Sequence, residues 1–192
     1  MKKTIISVII LSLGSILLAQ NAPDSAKAGK EKKTSEKPAI EKVEIVLPRI
    51  AVLDFVSLAG APTSIVRTLS ERLRFHLLES GNCTAIDAGE TWKAVNDLQI
   101  SRADSVTSGQ LIMLGIKLKA DYIIAGLITD YREGDIEFKQ HRLELMGKVY
   151  DAKSGQLARM DKVKVKCKKE LQAMAEEATE KLGKKLIKYC EI

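Results

Sequence analysis

Residues 48–87 read PRIAVLDFVSLAGAPTSIVRTLSERLRFHLLESGNCTAID and contain the pattern that decides the fold. In the run from Ile50 to Val56 the only charged side chain is that of Asp54, which is typical of a parallel strand covered by helices on both faces. After Pro62, apolar residues recur at the spacing of one helical face: Ile65, Val66, Leu69, Leu73, Leu77 and Leu78. A short second strand follows Gly81, so the stretch predicts a strand–helix–strand crossover, which is right-handed in nearly all proteins.

The rest of the chain extends this unit. Residues 90–98 and 108–119 have helical periodicity, and Trp92 belongs to the first of these apolar faces. Residues 121–129 form a nearly all-apolar strand that we expect to be central, and Gly126 within it predicts a close approach by a neighbouring helix. Two further strands, over residues 137–151 and 156–168, form a hairpin. A helix over residues 169–189 follows them. The sequence predicts an α/β fold, a mixed sheet with helices on both faces in the order β-α-β-α-α-β-β-β-α.

The amino-terminal residues predict export. Lys2 and Lys3 precede an apolar stretch over residues 5–18, and small residues follow it, as in a secretory signal peptide of residues 1–20. A transmembrane anchor is the alternative, but the stretch is shorter than the roughly 20 apolar residues of a span. Residues 21–47 alternate Lys with acidic residues and predict a flexible charged linker. Residues 48–192 then form one domain.

The net charge of +6 falls to +4 if Lys2 and Lys3 are removed with the signal peptide. A basic chain can bind nucleic acid, but an exported protein rarely meets it, so we expect no nucleic-acid partner. The expected partner is an envelope protein or a second copy of the chain, with peripheral outer-membrane association as a further alternative. We expect a periplasmic or outer-membrane-associated location.

A lysine ladder marks the second strand of the hairpin. Its members, Lys162, Lys164, Lys166 and Lys168, alternate with Val163, Val165 and Cys167, which predicts one cationic face and one inward face. The ladder is the candidate partner surface. The alternative interpretation is protection of an edge strand, because charged side chains discourage unwanted strand pairing.

The sequence offers little support for catalysis. The carboxylates nearest to the ends of the predicted strands are Asp54, Asp87, Asp121, Asp130 and Asp135. A pair of them could serve as acid and base or hold a metal, but Asp87 and Asp121 fit better as caps of helices or turns. Asp54, within an apolar strand, is expected to need a hydrogen-bonding partner. The chain has only two histidines, His76 and His141, and it lacks a nucleophile elbow and a phosphate-binding loop. We therefore expect no enzymatic activity, no bound metal and no cofactor.

The three cysteines, Cys83, Cys167 and Cys190, leave the disulfide question open. Cys167 and Cys190 flank the predicted last helix, whose ends lie roughly 30 Å apart at about 1.5 Å per residue, so they cannot pair with each other. Two alternatives stay open: Cys83 forms a disulfide with Cys167 or Cys190, or the cysteines are buried free thiols.

Several motifs resemble the periplasmic domain of CsgG-like curli secretion proteins, with LpoB and the TolB amino-terminal domain similar in the same way. They cover residues 49–186 and are IAVLDF (50–55) with Gly60, LSERLR (69–74), LESG (78–81), Ile86-Asp87, ADYIIAG (120–126) and YDAKSG (150–155). The chain departs from the family in having Ala88 where a basic residue is common. It also lacks a lipid-anchoring Cys near residue 20, the cysteines often found near residues 105–108, and the length for pore-forming hairpins.

The resemblance implies a non-enzymatic periplasmic adaptor or interaction domain. A self-assembling component of a curli-type outer-membrane secretion complex is the first alternative. A carboxylate-dependent hydrolase is the second.

Overall fold

A computed structural model describes residues 46–134, 140–168 and 170–188. Its elements, in chain order, are β1 (Arg49–Val52), β2 (Val56–Ser57), α1 (Thr63–Glu79), β3 (Thr84–Ala85), α2 (Ala88–Asp97), α3 (Ser108–Leu118), β4 (Tyr122–Arg132), β5 (His141–Asp151), β6 (Leu157–Cys167) and α4 (Leu171–Ile187). The predicted signal peptide and all but the end of the predicted linker lie outside the described residues, as do Asp135 and Cys190. No helix in the described ranges is long and apolar enough to cross a membrane.

The strands form one mixed sheet in the order β3-β1-β4-β5-β6, and β2 pairs with β4 beyond the end of β1. Strands β3, β1 and β4 are parallel, while β4, β5 and β6 are antiparallel. The β5–β6 turn is closed by Asp151, whose Oδ1 accepts hydrogen bonds from the backbone amides of Lys153 and Ser154 at 3.0 and 2.7 Å. The α/β fold class is confirmed, and β4 is central as expected.

Two cores lie on opposite faces of this sheet. Helices α1 and α4 cover one face, where Leu73 and Leu182 pack with Ile124 and Ile128 of β4. Helices α2 and α3 cover the other face at β1 and β4, where Leu114 packs with Ile123 and Ala125. Strand β4 therefore contributes alternate residues to both cores, which explains why its sequence is apolar without alternation.

The first predicted strand is interrupted, which corrects the interpretation of Asp54. Strand β1 ends at Val52, and the chain resumes pairing only at Val56. In the gap, the backbone amide of Phe55 donates to the buried Oγ of Ser70 on α1 at 2.9 Å. Because the strand breaks here, the side chain of Asp54 turns outward and is 65% exposed.

Gly126 does lie at a close approach, but its neighbour is an aromatic ring rather than the predicted helix. A Cβ atom placed on Gly126 would lie within 2.5 Å of Cζ of Phe55, far inside van der Waals contact. The Phe55 ring is 3% exposed and belongs to the core beneath α1. The glycine therefore makes room for the residue at which the first strand breaks.

Replacing Gly126 by alanine should destabilise the protein by about 1–3 kcal/mol, because the added methyl group forces the buried Phe55 ring to move. The measurement is the urea dependence of unfolding, with the midpoint and slope fitted separately. The matched control is Gly109→Ala in α3, where an added Cβ meets nothing within 4 Å. The control should be neutral or slightly stabilising. An unchanged urea midpoint for Gly126→Ala would contradict the packing described here.

Candidate interaction surface

The predicted lysine ladder lies on an exposed face of the sheet. Lys162, Lys164 and Lys166 are exposed on β6, and Lys168 is exposed just after it. Their neighbours Val163, Val165 and Cys167 are buried beneath α1 and α4. The alternation predicted for this strand is thus present in the structure.

Strand β5 contributes to the same face. Directly opposed residues of an antiparallel pair project from the same side of a sheet, and the register pairs Arg142 with Lys166, Glu144 with Lys164, Met146 with Lys162, and Lys148 with Met160. We call this surface the open face; its residues are Arg142, Glu144, Met146, Lys148, Met160, Lys162, Lys164 and Lys166.

The open face extends beyond the helices that cover this side of the sheet. The core beneath α2 and α3 includes Tyr150 at the end of β5, but it contains no residue of the open face. The Met160 side chain is 50% exposed, and the β5 members are half-buried. Among the described residues, β5 and β6 are therefore covered by helices on one side only.

Positive charge exceeds negative charge on the open face. Its single carboxylate, Glu144, has Oε1 at 2.8 Å from Nζ of Lys162 and Oε2 at 3.7 Å from Nζ of Lys164. The hydroxyl of Thr129 donates to the same Oε1 at 2.8 Å. The Lys162 hydrogen bond, assisted by Thr129, lowers the pKa of Glu144 to about 2. Arg142 pairs with Asp130 of β4, while Lys166 and Lys168 make no ion pair with a described residue.

The structure also supports the alternative interpretation of the ladder. Strand β6 forms one end of the sheet. The backbone carbonyl of Lys162 accepts a hydrogen bond from Nζ of Lys185 on α4 at 2.8 Å. A backbone group of the edge is thus occupied by a lysine, which discourages addition of another strand at that point. A partner is then expected to bind across the face rather than along the edge.

The remaining candidate carboxylates have structural partners. Asp87 caps α2, since its Oδ1 accepts hydrogen bonds from the amides of Gly89 and Glu90. Asp121 accepts from the backbone amide of Arg49 at 2.9 Å. The hydrogen-bonding partner expected for Asp54 is Arg74, whose Nη2 donates to its Oδ1 at 3.1 Å. These carboxylates do not converge on one site.

One histidine lies opposite a cysteine, because His141 of β5 is the cross-strand partner of Cys167 of β6. His76 lies between α1 and α4, with Nε2 at 3.3 Å from Glu176, and His141 accepts from the amide of Gly134. Cys83 is a buried free thiol whose pKa is raised by burial, and Cys167 is buried in the same core. Within the described ranges, no three His, Cys, Asp or Glu side chains are grouped to hold a metal.

No family model matches the chain, and no curated protein matches its sequence. Among solved structures, the hypothetical protein CT253 of Chlamydia trachomatis is similar at a TM-score of 0.54 and 11% identity, over 76% of this chain and 98% of that one. A PelC dodecamer from Paraburkholderia phytofirmans is similar at a TM-score of 0.51 and 12% identity, over 71% of this chain and 86% of that one. At such identities these structures share the fold with this chain.

The LpoB carboxy-terminal domain of Escherichia coli also matches, with 18% identity over 62% of this chain and 82% of that domain. Its TM-score of 0.46 is too low to support an argument about function. The resemblance to CsgG-like proteins stays a prediction.

The environment of Glu144 predicts a pH dependence of stability. Because its pKa in the folded protein, about 2, lies below the ordinary value of 4.5, the ionised carboxylate stabilises the fold above pH 4.5. This stabilisation is lost as the pH falls toward 2. The difference in unfolding free energy between the wild type and Glu144→Gln should therefore shrink over that range, as measured by urea unfolding at each pH.

A suitable control is Glu71→Gln on α1, because Glu71 is exposed and makes no ion pair with a described residue. If the wild type and Glu144→Gln lose stability in parallel on acidification, the ion pairs of Glu144 contribute nothing to folding.

Proposed function

We propose that this chain is a non-catalytic, exported interaction domain of the bacterial envelope, which binds an acidic protein partner through the open face. The observation that carries the proposal is a sheet face that no described helix covers and on which cations outnumber carboxylates. Lys162 and Lys164 remain 55% and 45% exposed even though Glu144 lies between them. Such a surface is accessible and electrostatically complementary to an acidic one.

The composition of the face favours a protein over a simple polyanion. Met146 and Met160 lie among its lysines, and methionine adapts its shape to apolar groups of a partner. A protein surface can offer carboxylates and apolar side chains together. Charge would guide the encounter, and the methionines would add buried contact area.

The non-catalytic part of the proposal rests on the roles of the candidate groups. Asp87 and Asp121 accept backbone hydrogen bonds, and Asp130 pairs with Arg142. His141 lies opposite Cys167, but its Nδ1 is occupied by the backbone amide of Gly134. Export rests on the signal-peptide pattern of residues 1–20. The envelope role agrees with the resemblance to CsgG-like periplasmic domains.

Self-assembly is a second candidate, favoured by one observation. The PelC structure that shares this fold is a dodecamer, so the fold is compatible with an assembly of many copies. In this chain the same open face could then contact a neighbouring copy instead of a different protein.

Binding through the open face is tested with poly-L-glutamate as an acidic polypeptide probe. The ladder variant replaces Lys162, Lys164 and Lys166 of the open face by Gln, and the control replaces Lys181, Lys184 and Lys188 of the α4 region, so both lose three charges. The ladder variant should bind roughly tenfold more weakly, since each exposed ion pair contributes about 0.2–1 kcal/mol. Binding of the wild type should weaken with salt, because the Debye length shrinks to about 8 Å near physiological ionic strength. Equal affinity of the two variants would count against the open face.

Light scattering after size exclusion separates the two candidates. We expect residues 21–192 to be a monomer at low and moderate salt under reducing conditions, as an adaptor requires. A ring-sized mass that the ladder variant abolishes would replace the adaptor by the self-assembling alternative.

A further inference from the structure

A crevice opens at the carboxyl ends of β1 and β3 and shares no residue with the open face. Strands β1 and β3 are parallel neighbours. The chain leaves β1 toward α1 on one face of the sheet and leaves β3 toward α2 on the other. Between strands whose connections diverge in this way, α/β sheets commonly place their ligands.

The crevice consists of two adjoining depressions, of about 250 and 550 Å³. Three residues line both of them: Asp54, Arg74 and Trp92. The inner depression continues to Ile100 and Ser101, and the outer one continues along α1 to Arg67. These three shared side chains therefore lie where a ligand would pass from one depression to the other.

Arg74 is a largely buried cation with unused hydrogen-bonding capacity. Its side chain is 11% exposed, and its Nη2 donates to the carbonyl of Val52 at 2.6 Å and to Asp54 at 3.1 Å. Its Nε is buried and has no hydrogen-bond partner among the described residues. A buried donor without an acceptor is unfavourable, so a ligand oxygen that reached this guanidinium group would be stabilised.

Asp54 supplies the opposite charge at the mouth of the crevice. Its side chain is 65% exposed and has Arg74 as its only ion-pair partner within the described ranges. A guanidinium and a carboxylate side by side present donors and acceptors to one ligand. This pair fits a group that itself carries both charges.

Beside the charged pair lie apolar groups. Leu53, Phe55 and Ile100 line the inner depression and are nearly buried. Trp92, expected from the sequence to pack on the sheet, is instead 64% exposed at the rim. The inner volume of about 250 Å³ is below the roughly 300–1,000 Å³ typical of cofactor and drug sites. The inner depression therefore suits one large side chain and not a nucleotide.

We propose that this crevice binds a free α-amino acid with a large apolar side chain. The ligand carboxylate accepts hydrogen bonds from Arg74, its ammonium group pairs with Asp54, and its side chain enters the inner depression beside Trp92. The ligand shares Arg74 and Asp54 with the ion pair that they already form, and its side chain occupies the inner depression.

The chain provides its own probe, since Trp92 is the only tryptophan. Titration with L-leucine at millimolar concentration should change the Trp92 fluorescence and saturate. N-acetyl-L-leucine, which lacks the ammonium group, and L-leucine amide, which lacks the carboxylate, should each bind about tenfold more weakly or worse. If either derivative binds as well as L-leucine, the site recognises one end of a peptide, and the proposal of a free amino acid is wrong.

Two variants test the assigned contacts without disturbing the core. Asp54→Asn removes the charge from an exposed side chain and should weaken L-leucine binding about tenfold. Ser101→Phe places a ring on an exposed residue of the inner depression and should block binding by volume alone.

The matched control for Asp54→Asn is Asp97→Asn. Asp97 lies on α2 and pairs with Lys117 outside the crevice. It should bind L-leucine like the wild type. Absence of a saturable change in the fluorescence of the wild type, or equal binding by Asp54→Asn and the wild type, would overturn the proposal.

Discussion

The burial of β4 on both faces is the constraint on which the other elements depend. Strand β4 pairs with β1, β2 and β5, and it sends Ile124 and Ile128 into one core and Ile123 and Ala125 into the other. Burying one such isoleucine contributes about 1.5–3 kcal/mol, so both helical layers are held to the same strand. At Gly126 the lack of a side chain admits the ring of Phe55, which lies in the break between β1 and β2. In the same break Asp54 is exposed beside Arg74, and both residues line the crevice.

The second consequence of this arrangement is unequal coverage of the sheet. Helices α1 and α4 cover β5 and β6 on one face, whereas α2 and α3 on the other face lie over β1 and β4. A sheet face left without a helix must carry side chains that tolerate water, because burying unpaired charge is costly. The lysine ladder meets this requirement. The same exposure leaves this charge available to the proposed partner, and Glu144 reduces the mutual repulsion of Lys162 and Lys164.

The open face and the crevice place two kinds of chemistry on one rigid domain. The open face is broad and mainly cationic, and it fits a macromolecular surface. The crevice is small, combines a paired cation and anion with apolar walls, and fits a single small group. They lie on different elements, β5 and β6 for the open face and α1, α2 and the ends of β1 and β3 for the crevice. An adaptor that also binds a small molecule would be a natural use of such a domain, and the two sites can be tested independently.

The sequence by itself determined the α/β class, the order of the major elements, the capping role of Asp87 and the exposure of the lysine ladder. These features follow from periodicity and local hydrogen bonding, which depend on residues close together in the chain. Only the tertiary structure decided that Asp54 is exposed, that Arg74 lies beside it, that Trp92 stands at a rim, and that Gly126 faces a ring. Periodicity predicts which side of an element faces inward, but it does not reveal which neighbour is there or how far a helical layer extends across the sheet. Contacts between residues distant in the chain, such as Phe55 and Gly126, determine which neighbour is present and how far the layer extends. In a closely packed core, the Phe55 ring can occupy this space only because Gly126 has no side chain.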